Sequence, residues 1–406
     1  MPTNILYLSY DGMTDPLGQS QVLPYLKGLT QKGYVFHLIS FEKADRFVKY
    51  RNQIQLICDQ SGINWHPLAY TKNPPLISTI YDVFRMKKLA FQLHKKHHFQ
   101  IVHCRSYLSA LVGRQMQTKF GLKFLFDMRG FWADERIDGK IWSLKNPIFK
   151  IVYNYFKKKE REFFQFADYI VSLTYNGKDE IISWKGFEHL ENRIQVIPCC
   201  ADIEKFNPKN IDQAKQNDLK NEFSLKDEFV LGYVGSIGTW YMLDEMLDFF
   251  KALLLKKPNA VFLFISGENP ETIISKSSDL EIPVDKIRVK SVLHDEVATC
   301  ISLFSASIFF IRPTFSKKAS SPTKQGELMA MGIPVICNSG VGDTERVVRN
   351  YHSGIVIDDF NSNNFKQADI DFIDFDLDKT ILGAAEFYGL DEGVKKYEQV
   401  YRKLLG

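Results

Sequence analysis

Short, continuous apolar runs recur along this chain, each followed by a longer stretch in which apolar residues return every three or four positions. Residues 4–9, 34–40, 100–103, 122–127, 168–173 and 194–197 are such runs in the N-terminal half. Residues 229–234, 261–266, 286–290, 306–312 and 334–337 are their counterparts in the C-terminal half. Runs of this length and character predict strands buried on both faces, as in a parallel sheet covered by helices. The stretches between them predict those helices, over 20–32, 80–98, 147–164 and 323–331, with a last one over about 391–404. Val83, Met86, Leu89, Ala90 and Leu93 share one face of the 80–98 helix. Val394, Tyr397, Val400, Tyr401 and Leu404 share one face of the last.

At 406 residues the chain is too long for one core, and two α/β domains of Rossmann-like character are expected. They are placed at 1–205 and 206–388, followed by a last helix at 389–406. The polar run 207–228 reads as the linker. No run approaches about 18 uncharged apolar residues, and the first residues lack the basic n-region and cleavage site of a signal peptide. The six cysteines show no metal-ligand spacing and read as reduced core residues of a cytosolic protein. A formal charge of +4 hides an asymmetry. Residues 1–200 carry 28 Lys and Arg against 17 Asp and Glu, a net of +11, and the remainder 24 against 31, a net of −7. A basic first half implies an anionic partner there, of which a membrane surface or lipid-linked phosphate is favoured over nucleic acid, since no nucleic-acid motif accompanies the charge.

After the 306–312 run the chain reads Lys-Ala-Ser-Ser-Pro-Thr-Lys-Gln-Gly-Glu-Leu-Met-Ala-Met-Gly-Ile-Pro-Val-Ile, from Lys318 to Ile336. A polar loop leads into a short helix, which Gly332 ends as a left-handed cap and Pro334 cannot continue. Strand, loop, helix and strand put Lys324 and Glu327 at a helix N-terminus on the carboxyl edge of a parallel sheet. Open α/β sheets bind ligands at that edge, and amide N–H groups there favour phosphate. Lys324 adds a cation, and Glu327 offers two acceptor oxygens to a ribose diol. A glutamate in a first helical turn is also simply a good dipole partner, so the whole string carries the argument.

That string resembles the donor-binding segment of the family-4 glycosyltransferases, retaining enzymes with two facing Rossmann-like domains (the GT-B fold), which implies that the C-terminal helix 389–406 crosses back to the N-terminal domain. Their pattern has two glutamates separated by seven residues, the second opening Glu-x-Met-Ala-x-Gly-x-Pro-Val, and residues 327–335 match that second half. Ala319 stands where the first glutamate would fall, leaving Ser320, Ser321 or a backbone amide to meet the donor sugar. Ile197, Pro198, Asp202, Phe206 and Pro208 match the family's interdomain connection. The loop after the 229–234 run, from Gly235 to Tyr241, looks like the family's second phosphate loop, yet holds neither the Arg nor the Lys usual there. Gly235, Ser236 and Thr239 remain, Arg312 ends the 306–312 strand, and Lys324 must supply most of the positive charge.

On the first sheet, Gly12, Gly18 and Gln19 belong to the loop and helix start after the first strand, and Arg105, Asp127 and Arg129 lie at strand ends on the same edge. That loop is not G-x-G-x-x-G and no acidic residue ends the 34–40 strand, so a dinucleotide cofactor is disfavoured. The resemblance implies Lys324 and Glu327, with Arg129 and Asp127, as catalytic residues, and Gly12, Gly18, Gln19 and Arg105 on the acceptor side. It implies a nucleotide-sugar substrate, a glycan or lipid-linked glycan acceptor as in bacterial surface-polysaccharide enzymes, and no cofactor or metal. Work in the cytoplasm, at the inner face of the plasma membrane, fits the basic half. Two other readings share these residues: a nucleotide-sugar epimerase of the same fold, and an inactive partner in polysaccharide assembly. His94, His97 and His98 read as a solvated basic face. The acidic run 369–378 contains D-x-D triplets but lies far along the chain from every phosphate loop, so metal binding is not expected there.

Overall fold

The apolar runs form two parallel sheets in a computed structural model that describes residues 3–293, 295–368, 370–372 and 374–406. The chain divides into two compact units, one holding the residues up to Cys199 together with Leu390–Gly406, the other Cys200–Gly389. In the first unit seven strands lie in the order β3-β2-β1-β4-β5-β6-β7. They are β1 Thr3–Ser9, β2 Tyr34–Glu42, β3 Ile63–Ala69, β4 Ile101–Arg105, β5 Lys123–Asp127, β6 Tyr169–Ser172 and β7 Ile194–Val196. In the second unit six strands lie in the order β10-β9-β8-β11-β12-β13. These are β8 Val230–Val234, β9 Val261–Ile265, β10 Ile287–Lys290, β11 Ala306–Phe309, β12 Val335–Asn338 and β13 Gly354–Ile357. Every ladder pairing is parallel, with Ser9 opposite Arg105 and Arg105 opposite Asp127. In each sheet the strand order reverses once, between β1 and β4 and between β8 and β11, and such a switch point opens a crevice at the carboxyl edge.

The two α/β units are Rossmann-like, and the final helix, Leu390–Leu405, belongs to the first. All five residues of its apolar face are buried. Val394 sits against Gly28, where an added Cβ would come within 2.6 Å of its Cγ2, so the glycine is what lets the Leu23–Thr30 helix approach. Tyr397 meets Tyr25 edge-on, and the Tyr397 hydroxyl donates to Asp127 Oδ2 at 2.9 Å.

Four expectations are corrected. The 20–32 helix is two, Pro16–Gln21 and Leu23–Thr30, broken at Val22 because Pro24 has no N–H to donate back across the junction. The supposed linker contains the helix Gln213–Glu222, capped by Asp212 and held by a bond from Gln216 Nε2 to Ser302 Oγ at 2.8 Å. β2 runs on to Glu42, so an acidic residue does end the second strand. The histidines are not a uniformly solvated face. His97 leans on His37 with ring centroids 4.0 Å apart, and His94 packs on Phe120 at 4.6 Å. His37 Nδ1 in turn lies 3.1 Å from His66 Nε2 on β3.

That cluster makes stability depend on pH. His37 is 5% exposed; burial, with His97, His66 and Lys96 adding to it, holds its imidazole down to about 4. A histidine bound more weakly to its proton when folded stabilises the fold fully above the unfolded value, near 6.5, and ceases to as pH falls through 4. Denaturant midpoints should therefore fall between pH 7 and 4, by on the order of 1–2 kcal/mol from this residue. His37→Phe, which keeps the ring, should flatten the slope. An unchanged slope would remove His37 as its origin.

Candidate functional sites at the two sheet edges

In the second unit β8 ends at Val234 and the chain turns through Gly235, whose φ of 104° a side chain would strain. Close approach is a second reason for glycine, since a Cβ there would lie 3.3 Å from Lys324 Nζ. Tyr233 Oη donates to the Ser236 carbonyl at 2.8 Å and so pins the turn. Ser236 Oγ and the Gly238 N–H are directed to Glu268 Oε1, at 3.2 and 3.4 Å. Thr239 and Arg312 are exposed, and the Arg312 N–H donates to the Trp240 carbonyl.

Lys324 opens the helix Thr323–Ala330, at the switch point between β8 and β11. Its stem is partly exposed, but Nζ is enclosed and has no hydrogen-bond acceptor among the described residues. The ammonium lies 3.8 Å from the ring centroid of Tyr241 and 4.2 Å from that of Tyr233. Burial pulls it down to about 7, against the pull of Glu327 the other way. Glu327 mirrors this: burial pushes its carboxyl up to about 7, opposed by Lys324 and Lys205. Lys205 was not singled out in the sequence, although it stands between the matched Asp202 and Phe206. Ala319 is buried, while Ser320 and Ser321 are half-buried at the mouth of the Thr323–Ala330 helix. Gln325 anchors that helix from within, donating to the Thr344 carbonyl at 3.1 Å. Lys324, Glu327, Gly235, Ser320 and Ser321 are thus features of one edge.

Within the acidic 369–378 run, Asp369 and Ile373 lie outside the described residues. Asp371 pairs with Lys257 at 2.8 Å, and Asp376 caps the helix Leu377–Gly383.

In the first unit Glu42 organises the loop after β1. It is buried, and it accepts from the N–H groups of Met13 and Thr14, at 2.8 and 2.9 Å, and from the Thr14 hydroxyl at 2.6 Å. Gly12 and Gly18 are packing glycines. A Cβ on Gly12 would lie 2.6 Å from the Phe41 carbonyl oxygen, and one on Gly18 would lie 2.2 Å from that of Gly12. Gln19 Nε2 donates back to the Thr14 carbonyl at 3.2 Å. Arg105 spans the switch point, its Nε donating to Asp11 Oδ2 at 3.2 Å, while Nη1 is buried without a hydrogen-bond partner among the described residues.

Asp127 is fully enclosed. Burial raises its carboxyl, yet Arg129, His103 and Arg105 together outweigh that and leave it below the usual range. Arg129 Nη1 lies 3.8 Å from Asp127 Oδ1, and its Nη2 donates to Cys199 Sγ at 3.2 Å. His103, also missed in the sequence, is buried between Tyr401, 2.7 Å from Nδ1, and Asp127, 3.5 Å from Nε2. Asp127 therefore holds Arg129, His103 and the final helix together. Its Oδ2 is taken by the Tyr397 hydroxyl, and its charge faces Arg129 and His103.

Residues 19–205 match the family described as Glycosyltransferase Family 4, and residues 214–376 the family described as Glycosyl transferases group 1. A capsular polysaccharide biosynthesis glycosyltransferase, CapM of Staphylococcus aureus, is 26% identical over 195 residues, 47% of this chain and 48% of that protein. The match thus spans about half the length of that relative. Among solved structures, a glycosyltransferase from Rickettsia africae superposes with a TM-score of 0.68 at 16% identity, over 100% of this chain and 99% of that one. Anabaena Alr3699/HepE, in complex with UDP and glucose, does so with a TM-score of 0.66 at 12% identity, over 99% of each chain. At these identities the two likenesses speak for the fold, which is GT-B. With one glycosyltransferase model matched in each half and this fold throughout, the chain resembles the family-4 glycosyltransferases, and among them those of surface-polysaccharide synthesis.

Proposed function

We propose that this chain is a retaining, metal-independent glycosyltransferase that moves a sugar from a nucleotide-sugar to a polysaccharide or lipid-linked glycan, in the cytoplasm at the inner face of the plasma membrane. The observation that carries this reading is the Lys324 ammonium, enclosed beside Gly235 at a sheet switch point and lacking an acceptor. A diphosphate is the ligand such a group awaits, because it supplies both the negative charge and the hydrogen-bond acceptors. The complex of HepE with UDP and glucose supports a nucleotide-sugar as donor.

In this mechanism the bond between the sugar's anomeric carbon and the β-phosphate oxygen breaks through an oxocarbenium-like state. The acceptor hydroxyl attacks from the same face and gives its proton to the departing phosphate, so no separate base is needed. Lys324 and the N–H groups at the helix start oppose the charge that develops on the leaving diphosphate. Glu327 accepts from the ribose hydroxyls, with Lys205 favouring its ionised form. Ser320 and Ser321 meet the donor sugar in place of the glutamate that Ala319 lacks. Arg105 is the cation at the acceptor edge, and Arg129 is held there by Asp127.

Lys324→Ala should weaken nucleoside diphosphate binding by about 1–3 kcal/mol, the value of a charge-assisted hydrogen bond. The fold should keep its stability, because the substitution removes an enclosed charge. Because the ammonium in the empty site is held near 7, binding should take up a proton and affinity should fall as pH rises above 7. Calorimetry in buffers of different ionisation heat checks both effects; pH-independent affinity, or full affinity in a folded variant, would sink the assignment.

Glu327→Gln should lower donor turnover by more than it lowers the melting temperature. Turnover should survive EDTA, since Lys324 supplies the charge at the phosphates; strict Mg²⁺ or Mn²⁺ dependence would refute that part. A panel of nucleotide-sugars, assayed with and without glycan acceptors, tests the reaction itself. Sugar inversion without an acceptor would identify an epimerase instead.

A further inference from the structure

On one face of the first sheet the helices Ile77–His97 and Pro147–Phe166 flank the helix Ser106–Phe120. The first carries Ile77, Ile80, Tyr81 and Phe84, exposed by 66, 70, 54 and 60%. Their spacing places them on one stripe of the helix. The third carries Ile148, Ile151 and Tyr155, exposed by 57, 69 and 46% and likewise in line. Both stripes lie in the N-terminal halves of their helices. In a parallel α/β unit that end adjoins the carboxyl edge of the sheet, where Arg105 lies. None of the described helices is long and apolar enough to cross a membrane, so these stripes suit a surface rather than a span.

Between the three helices runs an open groove of about 610 Å³, lined by Lys87, Arg114, Lys119 and Lys159 with Phe91 and Tyr155. It is continuous with both stripes. Phe84, Lys87 and Phe91 follow one another down a single helix face, and Tyr155 belongs to stripe and groove alike. Among the described residues Glu162 is the one acid in the groove, and it already serves two cations, Lys159 at 2.6 Å and Arg114 at 3.7 Å. Lys87 and Lys119 have no carboxylate partner among the described residues. They flank the Phe91 ring at 5.5 and 5.2 Å from its centroid. Two uncompensated ammoniums over an aromatic floor, bordered by exposed aliphatic and aromatic residues, match a phosphate at the boundary between headgroup and acyl chain.

We propose that this groove seats the phosphate of an anionic phospholipid through Lys87 and Lys119, while the two apolar stripes enter the acyl boundary. The proposal rests on the reading that the chain works at a membrane, and it names the surface and the lipid chemistry.

The test is co-sedimentation of the full chain with phosphatidylcholine vesicles and with mixed phosphatidylcholine–phosphatidylglycerol vesicles. Wild type should prefer the anionic vesicles, and the preference should weaken with salt. Lys87→Glu with Lys119→Glu should cut that preference at least about tenfold. Ile80→Ser with Phe84→Ser should lower binding to both kinds of vesicle. These positions are solvent-facing, and circular dichroism verifies folding. Equal binding of wild type to both vesicles, or a retained preference in the charge-reversed variant, overturns the proposal. So does competition by soluble glycerol phosphate without vesicle binding, which would assign the groove to a soluble ligand. So does wild-type self-association that Phe84→Ser abolishes. Release of nucleotide from the donor, measured on the same variants, should match wild type. Its absence in every protein would count against the transferase reading and leave the vesicle result standing on its own.

Discussion

Parallel strands cannot be joined by a tight turn, and the rest of this molecule follows from that constraint. Each strand must return through a crossover that covers one face of the sheet, and such crossovers are almost always right-handed. All loops that follow strands therefore gather on one edge of each sheet. The loop after β1, Arg105 and Arg129 share the carboxyl edge of the first, while Gly235, Arg312 and Lys324 share that of the second. The switch points between β1 and β4, and between β8 and β11, then select which loops stand apart enough to admit a ligand.

The two edges treat buried charge in opposite ways. At the first, the ions are closed upon one another: Asp127 is bonded by Tyr397 and faced by Arg129 and His103. Enclosed ions that neutralise each other are tolerated, and removing one partner of such a set is costly. The final helix contributes Tyr397 and Tyr401 to this network, so electrostatics and packing hold it in one place. At the second edge the Lys324 ammonium has two aromatic faces and no acceptor. The first edge sets opposite charges against one another, though Asp127 Oδ1, His103 Nε2 and Arg105 Nη1 make no hydrogen bond among the described residues, while at the second the Lys324 ammonium meets two aromatic faces.

What the sequence made legible follows the same logic. Interior strands such as β1, β4 and β11 announce themselves, because both faces are buried and the apolar run is unbroken. Of the edge strands, β7 and β10 were legible as short apolar runs, and β3 and β13 were not. β3 holds Asn64, His66 and Pro67, tolerable only where one side of the ladder is open, and β13 is short and half-exposed. Lys324 and Glu327 were legible because one continuous string bears them. His103, Glu42 and Lys205 were not, because each acquires its role from a segment distant in sequence: Tyr401 on the last helix, the loop after β1, and Glu327 itself. Gly12 and Gly18 were visible as glycines, but only the approach of one segment to another shows that they serve packing.

The cage around Lys324 has a consequence for the whole second unit. A desolvated ammonium over an aromatic face gains about 2 kcal/mol, which falls short of what losing its hydration costs. That is why the group is held near neutrality at 7. Glu327 is pushed towards its neutral form by the same enclosure. With both groups held near 7, each is only partly ionised at neutral pH, which weakens the internal pull of the empty site. On the proposed donor reading, an arriving diphosphate would reverse the balance, since its oxygens supply the acceptors that the ammonium lacks. The charge on Lys324 is then restored at the moment there is charge for it to oppose, and the desolvation already suffered by the site strengthens that interaction.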